Sequence, residues 1–354
     1  MSPVKPGYTR PLDLRHGRVD MSHGSGGRAM VQLIEQIFLD AFDNPALAAR
    51  DDHAVLATPP ELALGGRLVM ATDSHVVSPL FFPGGDIGCL SVHGTVNDVA
   101  MAGARPLWLS AGFILEEGFA LADLQRIVSS MAQAAAEAGV PIVTGDTKVV
   151  QAGKGDGVFI NTTGVGVTRP GVHISGSLAR PGDAILVSGT MGDHGVAVMS
   201  VREGLRFGTS LRSDTRSLHT LVAAMLDAVP DIHVLRDPTR GGLGATLNEI
   251  ASQSGVGMRL TESAIPVRGE VRAACELLGL DPLYVANEGK LLAICPAGQA
   301  DALLSALRAH PHGRDAAQIG TVVDDPNHFV QMTTALGGQR MVDWLSGEQL
   351  PRIC

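Results

Sequence analysis

Three consecutive segments decide the fold: LWLSAGFIL at residues 107–115, LADLQRIVSSMAQAAAEA at residues 121–138 and VPIVT at residues 140–144. The first and the last are short apolar runs, which are typical of buried strands. In the middle segment apolar residues recur with the period of an α-helix, and Gly139 follows as a helix-ending glycine. The predicted buried face of this helix consists of Leu121, Leu124, Ile127, Val128, Met131, Ala134, Ala135 and Ala138. Strand, helix and strand in this order indicate α/β or α+β architecture.

The same alternation continues on both sides of these segments. Upstream, the pattern predicts a helix over residues 29–42, a strand over 67–72 and a helix over 88–103. Downstream it predicts a strand over 158–167, after which a run of Pro, Gly and polar residues at 168–183 interrupts the pattern. Beyond this run strands and helices begin again.

Two domains and a tail follow from this organisation. We expect an N-terminal domain over residues 1–168 and a C-terminal α+β domain over residues 169–344. The last ten residues, 345–354, show no periodicity, and Gly347 and Pro351 interrupt any helix. These ten residues are predicted to form an extended, flexible tail.

Composition excludes several classes of protein. The chain has 354 residues with 27 basic and 36 acidic side chains, a formal charge of −9, and only 4% aromatic residues. Nucleic acid is therefore not expected as a partner, because phosphate binding needs a basic surface and base stacking needs aromatic platforms. There is no apolar run of about 18 residues and no signal-peptide pattern, so we expect no membrane segment and a cytoplasmic location.

A glycine-rich loop precedes the first predicted helix. Residues 23–28 read HGSGGR, so Gly24, Gly26 and Gly27 allow the backbone to approach a ligand just before a helix N-terminus. This loop has neither the Walker pattern nor the spacing of a dinucleotide-binding loop. A phosphate-binding loop and an ordinary turn both remain open.

Acidic residues stand at the ends of several predicted elements. Asp52 precedes an apolar run, Asp73 ends the strand at 67–72, Asp98 lies in a helix, and Asp146 follows the strand VPIVT. Carboxylates at such positions often converge on one site, where Mg²⁺ bridges them to a polyphosphate. The alternative is that each aspartate caps a helix or turns a loop.

Lysine and the final cysteine are also candidates for chemistry. The 27 basic residues include only four lysines, and two of them, Lys148 and Lys290, follow acidic motifs. Lysine can lose its proton when desolvated, which arginine cannot, so two explanations stay open: a retained lysine has a chemical task, or it is there by chance. Cys354, the last residue, could reach into a site from a mobile arm or be an incidental thiol. The turn DPTRGGL at residues 237–243 is equally open between an anion site and a tight turn.

Taken together, these residues resemble the HypE family, the carbamoyl dehydratases of nickel–iron hydrogenase maturation. The resemblance covers nearly the whole chain and includes HGSGGR (23–28), TDSHVVSPLFFPGGDIG (72–88), GTVNDVAMAGARP (94–106), GFILEEG (112–118), IVTGDTKVV (142–150), FINTTG (159–164), LRDPTRGGL (235–243), LYVANEGK (283–290) and LPRIC (350–354). The ending LPRIC is specific to this family within the wider aminoimidazole ribonucleotide synthetase superfamily.

The resemblance implies a fold and a reaction. It implies an N-terminal ATP-binding domain that forms a homodimer through its sheet, and a C-terminal α+β domain that covers the nucleotide. A partner carbamoyltransferase of the HypF kind would carbamoylate Cys354. ATP would then activate the thiocarboxamide oxygen, loss of phosphate would leave a protein thiocyanate, and the cyanide would pass to iron on a scaffold complex of the HypC–HypD kind.

The resemblance also implies roles for particular residues. Cys354 carries the substrate, and Lys148 and Glu288 are the candidates for removing protons from nitrogen, in an order left open. ATP would be bound by Gly24, Gly26, Gly27, Asp73, Asn97, Thr144 and Asp146, and Mg²⁺ by Asp52, Asp73, Asp98 and Asp146. The sequence departs from the family pattern at His53 and His75, which leaves the carboxylates in place but raises the question of whether these histidines modulate the site.

Two other functions remain as alternatives. One is a different ATP-using enzyme of the superfamily, acting on a small molecule without need of Cys354. The other is a carrier without catalytic activity that uses Cys354 only to move a group between partners. The acids and Lys148 argue against the carrier.

Overall fold

The computed structural model describes residues 11–50, 53–204, 211–345 and 352–353. The N-terminal half begins with a 3₁₀ turn (Met21–Gly24) and helices, and then forms a sheet with two long helices on one face. Its elements are α1 (Arg28–Leu33), a π-helical segment (Ile34–Leu39), α2 (Asp40–Phe42), α3 (Pro45–Ala48), α4 (Pro60–Ala63), β1 (Leu68–His75), β2 (Phe81–Phe82), β3 (Gly85–Asp86), α5 (Ile87–Met101), β4 (Ala104–Glu116), α6 (Leu121–Ala138), β5 (Ile142–Val150) and β6 (Val158–Thr168).

The first sheet has four strands in the order β1-β6-β4-β5. The pairs β1·β6 and β6·β4 are antiparallel, and β4·β5 is parallel with α6 as the crossover helix. This βαβ unit is the one that the three opening segments predicted. Helix α6 begins at Leu121 and ends at Gly139, which has φ +66°, and all eight predicted face residues are buried.

Helix α5 lies against the same face of this sheet and is buried on nearly every side. Gly164 and Gly166 on β6 make the close approach possible. A Cβ atom on Gly164 would lie 2.9 Å from Val99 Cγ2, and one on Gly166 would lie 2.4 Å from Val99 Cγ1. Any larger residue at these two positions would push the helix away from the sheet.

The opposite face of the four-stranded sheet carries no helix among the residues that the structure describes, and we call it the open face. It presents three large apolar side chains at high exposure: Leu68 (59%), Met70 (73%) and Ile114 (44%). Leu68 and Met70 lie near one end of the face and Ile114 near the other, and large apolar side chains exposed along an uncovered sheet face suit a surface that another protein covers.

The C-terminal half is built around a seven-stranded sheet in the order β13-β12-β9-β11-β7-β10-β8. Strands β12 and β9 are parallel, and the other neighbours are antiparallel. The elements are β7 (Ala184–Val187), α7 (Asp193–Arg202), α8 (His219–Ala228), β8 (Val234–Arg236), α9 (Gly242–Ser254), β9 (Gly257–Thr261), α10 (Gly269–Leu278), β10 (Leu292–Cys295), α11 (Ala300–Ala309), β11 (Ala317–Val323), β12 (Val330–Thr333) and β13 (Gln339–Met341), with 3₁₀ turns at Glu262–Ala264, Pro282–Tyr284 and Ala297–Gln299.

Helices cover both faces of this second sheet. On β7, Ile185 and Val187 pack in the cluster that contains α9, whereas Ala184 and Leu186 pack in the cluster that contains α8 and α11. A strand covered on both faces must be apolar at every position, which explains the continuous run AILV. Ala100 of α5 joins the second cluster, so the two halves share apolar packing.

The structure differs from the sequence predictions in local details. The predicted helix at residues 29–42 is helical throughout but adopts π geometry at Ile34–Leu39. The predicted strand at 67–72 extends to His75, because its pairing with β6 continues to His75↔Ile160. Strand β8 was not predicted, since three residues are too few to show a period.

The end of the chain is docked where the structure describes it. Ile353 is only 3% exposed and forms an isolated antiparallel bridge with Val77, just after β1. The tail was predicted to be extended and flexible; residues 352–353 are held against the protein. Residues 346–351 and Cys354 lie outside the described residues.

We expect the βαβ unit to depend on the buried face of α6. Leu124→Ala should lower the free energy of unfolding by about 2–5 kcal/mol, because Leu124 is fully buried and its removal leaves a cavity. The exposed Ser129→Ala, one turn further along the same helix, should change it by no more than about 0.5 kcal/mol. Urea unfolding followed by circular dichroism measures both. Equal destabilisation by the two variants would contradict this account of the helix.

Candidate active site

Four carboxylates from both halves meet at the junction beside α5. Asp73 comes from β1, Asp98 from α5, Asp237 follows β8, and Glu288 precedes β10. Their mutual electrostatic influence shows that they share one site: Asp73, Asp98 and Asp237 each raise the pKa of Glu288. We call these four residues the acidic cluster.

The cluster carries more negative charge than its surroundings balance. Burial, with Asp237 and Asp73 as like-charged neighbours, raises the pKa of Asp98 to about 8. Burial also raises the pKa of Asp237 to about 6, with Asp73 adding to the effect and Arg236 opposing it. Carboxylates that hold their protons this tightly favour a cation that would relieve the repulsion.

Glu288 is the most buried member of the cluster. It is 3% exposed, and burial together with the neighbouring aspartates raises its pKa well above the ordinary value. Its Oε1 has no hydrogen-bond partner among the residues that the structure describes. A buried carboxyl oxygen without a partner is costly unless a ligand or ion completes the site.

The backbone at Glu288 is fixed by a second buried network. The Glu288 N–H donates to Asp214 Oδ1 at 3.1 Å, and Lys290 Nζ lies 3.2 Å from Asp214 Oδ2 and 3.6 Å from Asp193 Oδ2. Burial opposes ionisation of Asp214, but Lys290, His194 and the hydrogen bond from the Glu288 N–H together keep the pKa of Asp214 below its ordinary value. Lys290 therefore serves as the cation of a buried ion network, which gives a structural reason for a lysine here.

Gly289 allows this network to form. A Cβ atom at Gly289 would lie 1.9 Å from the carbonyl oxygen of Asp214. Only glycine permits the two backbones to approach so closely, which explains the glycine between Glu288 and Lys290 in the sequence.

Two histidines on the same side of the sheet, the buried His75 and the half-buried His93, stay neutral. His75 Nε2 lies 3.3 Å from Thr162 Oγ1 and 3.7 Å from Asp73 Oδ2. Burial lowers the pKa of His75, and it lowers the pKa of His93 to about 4. His75 thus neighbours a carboxylate of the cluster, whereas His53 is exposed.

The glycine-rich loop lies along β5. Gly24 ends the 3₁₀ turn so close to Val149 that a Cβ would meet the Val149 side chain at 2.9 Å. Gly26 has φ +75°, and Gly27 is the N-cap of α1. The predicted phosphate loop therefore stands at a helix start beside β5, the strand that carries Thr144 and Asp146.

Asp146 and Lys148 form an exposed pair away from the acidic cluster. Lys148 Nζ donates to Asp146 Oδ2 at 2.6 Å. Across the sheet, Asp73 stands in one row with Thr162, Ala111 and Gly145. Asp146 stands in the neighbouring row, with Gly112, Asn161 and Ser74. Residues aligned across a sheet share a face and their neighbours point to the other face, so Asp146 and Lys148 lie on the open face.

Within one chain the predicted residues therefore form two groups. Asp73 and Asp98 join Glu288 at the junction, while Asp146, Lys148 and Thr144 lie at the far edge of the sheet, three strand spacings or about 14 Å from β1. The structure does not bring Asp73 and Asp146 together in one chain. Asp52 and Cys354 lie outside the described residues.

Asn97 ties the two halves together. Its Nδ2 donates to the carbonyl oxygens of Arg216 at 3.0 Å and Glu288 at 3.4 Å, and its Oδ1 accepts from the Leu218 N–H at 2.7 Å. These three bonds occupy both ends of the amide. Asn97 was predicted as a nucleotide ligand, which stays a prediction; in this structure its amide holds the Glu288 segment.

Sequence reasoning missed Asp237 as a carboxylate of the site. The motif DPTRGGL was read only as an anion site or a turn; it is a turn, with Gly241 at φ +75° and Gly242 at φ +60°, and it presents Asp237 to the acidic cluster. Asp237 directly follows a strand, as Asp73 and Asp146 were expected to do. This position was the feature of the sequence that could have identified Asp237 as a site residue. Asp214 gave no such signal, since it stands in a loop between helices.

The acidic cluster suits a divalent cation held together with phosphates. No three His, Cys, Asp or Glu side chains approach closely enough to hold a metal by themselves in the described parts of the chain. Mg²⁺ usually takes one or two carboxylates and completes its coordination with water and substrate phosphates. The raised pKa values of Asp98 and Asp237 and the unpartnered oxygen of Glu288 fit such a shared site.

Two family profiles match the chain. The N-terminal domain of the AIR synthase related proteins matches residues 50–168, and their C-terminal domain matches residues 180–333. Fold and site thus define a protein of the AIR synthase related class. Thiamine monophosphate kinase from Aquifex aeolicus has the same fold, with a TM-score of 0.56 at 20% identity, covering 77% of this chain and 89% of that one.

Relatives within this class are far more similar. Carbamoyl dehydratase HypE of Cupriavidus necator is 70% identical over 351 residues, 99% of this chain and 99% of that protein. HypE of Escherichia coli is 48% identical over 336 residues, 95% of this chain and 99% of that protein. The chain belongs to the carbamoyl dehydratase HypE family.

Solved structures agree. A hydrogenase maturation protein HypE in complex with ATP has a TM-score of 0.90 at 55% identity, covering 94% of this chain and 99% of that one. HypE from a HypE–HypF complex has a TM-score of 0.77 at 49% identity, covering 88% and 99%. The predicted family, the two-domain α/β fold and a carbamoyl dehydratase of hydrogenase maturation are confirmed. The exact domain boundaries stay predictions.

No helix in the described residues is both long and apolar enough to span a membrane.

The acidic cluster should cost stability at high pH. Because the folded-state pKa of Asp98 (about 8) lies above its ordinary value of 3.8, the folded state holds this proton more tightly than the unfolded state. The stability that the protonated group contributes is therefore lost as the pH rises from about 4 to about 8. The substituted side chain in Asp98→Asn cannot ionise. In metal-free buffer the free energy of unfolding of this variant, relative to that of the parent, should therefore rise by about 1–3 kcal/mol between pH 5 and pH 8.

Urea unfolding at several pH values in the presence of a chelator measures this difference. The exposed Asp40→Asn provides the control and should follow the parent at every pH. A stability of Asp98→Asn that runs parallel to the parent from pH 5 to pH 8 would show that Asp98 is not electrostatically strained.

Proposed function

We propose that this protein dehydrates a carbamoyl group carried on the thiol of Cys354, using ATP, and so forms a protein thiocyanate. The observation that carries the proposal is the docking of Ile353. This residue packs in one apolar cluster with Ala286, and the chain continues from Ala286 through Asn287 to Glu288. Cys354 follows Ile353 directly, so its Cα lies within about 3.8 Å of that of Ile353 in any conformation.

The reaction balances as two steps. The oxygen of the thiocarboxamide attacks the γ-phosphorus of ATP, ADP leaves, and one nitrogen proton is lost. The second nitrogen proton and phosphate then leave, and the C–N bond becomes the triple bond of the thiocyanate. The chain must therefore accept two protons from nitrogen, one in each step.

Glu288 is suited to accept one of these protons once a cation is present. With the cluster uncompensated, burial and the neighbouring aspartates raise the pKa of Glu288 well above its ordinary value and so favour its protonated form. Asp73, Asp98 and Asp237 contribute to this, so neutralising their charge lowers the pKa of Glu288 toward the range in which a base works best. We propose that Asp98 and Asp73, with Asp52, hold Mg²⁺, which when bound supplies positive charge to the phosphates.

The proposed nucleotide site uses the same two groups of residues, one at the acidic cluster and one on β5. A HypE that is 55% identical to this chain binds ATP in its crystal structure, which supports ATP as the co-substrate here. We propose that the loop at Gly24, Gly26 and Gly27 contacts phosphates with its backbone N–H groups, beside Thr144 and Asp146 on β5. Asp73 belongs to the opposite end of the site, and Asn97 contributes by holding the backbone at Glu288.

Lys148 can take part in the reaction only if a second copy of the chain covers the open face. In one chain it lies on the opposite sheet face from the acidic cluster and about 14 Å across the sheet. We propose a homodimer through the open face, which covers Leu68, Met70 and Ile114 and places Lys148 against the sheet of the other copy, whose edge strand β1 carries Asp73 of the acidic cluster. Lys148 and Glu288 would then be the two proton acceptors.

Two partner proteins are proposed, one that delivers the carbamoyl group and one that accepts the cyanide. A HypE with 49% identity was crystallised in a HypE–HypF complex, which supports a HypF-like carbamoyltransferase as the donor to Cys354. The thiocyanate carbon then needs an acceptor, for which we propose iron on a HypC–HypD-like scaffold.

Intact mass of the C-terminal peptide tests the function. After incubation with ATP, Mg²⁺, carbamoyl phosphate and an active HypF-like transferase, the peptide should first gain a carbamoyl group and then lose one water. Glu288→Gln and Lys148→Ala should still gain the carbamoyl group but lose water about 10²–10⁴-fold more slowly. Lys154→Ala, an exposed loop lysine near Lys148 in sequence, should behave as the parent.

Three other outcomes separate the alternatives. A peptide that keeps its carbamoyl group while ATP is consumed would favour a superfamily enzyme with a small-molecule substrate. Water loss at the parent rate in both catalytic variants would indicate that other groups take the protons. Transfer of an intact carbamoyl group to a scaffold would support a carrier.

Mixing two inactive variants tests whether Lys148 acts across the dimer. If a site combines Glu288 of one copy with Lys148 of the other, dimers of Lys148→Ala with Glu288→Gln contain one intact site. Reassembly of an equal mixture should recover about a quarter of the parental rate, since half the dimers are mixed and each has one working site of two. A mixture as inactive as its components, with mixed dimers verified by native mass spectrometry, would place both residues in one chain.

A further inference from the structure

The docked end of the tail is held by bonds to its backbone. The carbonyl oxygen of Ile353 accepts a hydrogen bond from His194 Nε2 at 2.8 Å, and that of Arg352 accepts from Arg202 Nη2 at 2.8 Å and from the Ser78 N–H at 3.1 Å. His194 and Arg202 belong to α7, and Ser78 follows β1. The tail is therefore fixed between the two halves of the protein.

His194 has a single tautomer that satisfies its partners. The Ile353 carbonyl can only accept, so Nε2 must carry the proton. Burial lowers the pKa of His194, so the ring is neutral and Nδ1 accepts from Ser213 Oγ, 2.8 Å away. The Ser213 oxygen in turn accepts from the Thr215 N–H at 3.1 Å. The ring of Phe82, 5.4 Å away and edge to face, fixes the orientation of the imidazole.

This arrangement connects the tail to the acidic cluster. Ser213 is bonded to His194 and is followed by Asp214, which accepts from the Glu288 N–H. A continuous series of contacts therefore runs from the Ile353 carbonyl to the backbone of Glu288. The position of the tail and the position of Glu288 are set by the same buried groups.

Arg202 acts at the other side of the tail. Its Nε and Nη2 donate to the Ser78 carbonyl at 2.9 and 2.5 Å, and Nη2 also donates to the Arg352 carbonyl. The planar guanidinium thus bridges the chain after β1 and the tail, a geometry that lysine cannot reproduce. The Arg352 side chain makes only a peripheral ion pair with Asp156, both partly exposed.

A pocket for the Ile353 side chain completes the site. Ile353 packs in a buried cluster with Val77, Phe82, Val198 and Ala286. The pocket recognises the side chain, whereas His194 and Arg202 recognise two successive carbonyl oxygens. Together they determine the register of the tail, because a shift by one residue would put Arg352 or the much smaller Cys354 in the place of Ile353.

We propose that His194 and Arg202 are positioning residues that clamp the tail in one register and thereby present residue 354 to Glu288 for dehydration. The proposal rests on the proposed function for its purpose, but the clamp itself can be tested without catalysis. Since the same tail must leave to meet a transferase, the clamp must also release, and loss of the clamp should spare carbamoylation while slowing dehydration.

The reactivity of the Cys354 thiol toward an aromatic disulfide reagent reports the clamp directly. The other three cysteines contribute little at pH 8, because burial raises the pKa of Cys89, Cys275 and Cys295 each to about 11. Cys354→Ser gives the background rate. The clamp should protect the thiol in the parent, so His194→Leu and Arg202→Lys should each react roughly 5- to 10-fold faster, as expected for one lost hydrogen bond.

Two controls separate positioning from general damage. His194→Gln retains an N–H donor close to the position of Nε2 and should restore protection to within about 3-fold of the parent. Arg272→Lys, an exposed arginine on α10, should react at the parental rate. Thermal unfolding of each variant shows whether it is folded. Parental thiol reactivity in both folded His194→Leu and folded Arg202→Lys would overturn the clamp.

A tail extended by one residue tests the register. Insertion of one alanine between Ile353 and the cysteine keeps every clamped group but moves the thiol one residue further along. We expect carbamoylation by the transferase at the parental rate and dehydration at least about 10-fold slower, as misplacement of a reacting group by an ångström or more predicts. Dehydration at the parental rate in this variant would show that the clamp does not set the register.

If the proposed function is wrong, the experiments give a different result from the one expected if the clamp is wrong. A parent protein that is carbamoylated but never loses water, while His194→Leu still exposes the thiol, would refute dehydration and retain the clamp.

Discussion

The close contact of helix α5 with the four-stranded sheet is the constraint on which the rest of the molecule depends. Gly164 and Gly166 remove two side chains from β6, and α5 fills the space. The helix then supplies Asp98 to the acidic cluster and Asn97 to the backbone of Glu288, while Ala100 joins the core of the second half. One buried helix thus supplies a carboxylate of the acidic cluster, holds the backbone of Glu288 and fixes the relation of the two halves.

The acidic cluster destabilises the free protein, because it holds several ionisable carboxyl groups close together in a buried site. Asp98, Asp237 and Glu288 all have raised pKa values, and each is disfavoured when ionised in the free protein. Nearby, Lys290 helps to keep the pKa of Asp214 low, although burial still raises the pKa of Asp193, so a compensated carboxyl group, that of Asp214, stands beside the uncompensated acidic cluster. The compensated group holds the backbone, and the uncompensated group remains available to a cation and phosphates. Such a division is typical of sites that keep reactive groups in an unfavourable state.

The sequence predicted the architecture well because the βαβ unit has strong periodicity and a clear helix end at Gly139. It also indicated Asp73, Asp98, Lys148, Glu288 and Cys354 as candidate site residues, through their types and through family resemblance. It did not predict that Asp73 and Asp146 point to opposite faces of one sheet, since that depends on strand order and register. Nor could it assign His194 or Arg202, because the tail carbonyls that they bind are 159 and 150 residues away in the chain. A bond to the backbone leaves no sign in the identity of the partner residue.

The burial of the Lys290 network has a consequence for ionic strength. Mobile ions screen charges that water reaches, and they hardly affect pairs sealed from solvent. The contacts of Lys290 with Asp214 and Asp193 are sealed, whereas the Arg352–Asp156 pair on the tail is open to solvent. Salt should therefore leave the geometry at Glu288 intact while loosening the outer hold on the tail. The backbone bonds from His194 and Arg202 do not depend on that outer pair, so the part of the tail next to the reaction centre stays in place where its rim loosens.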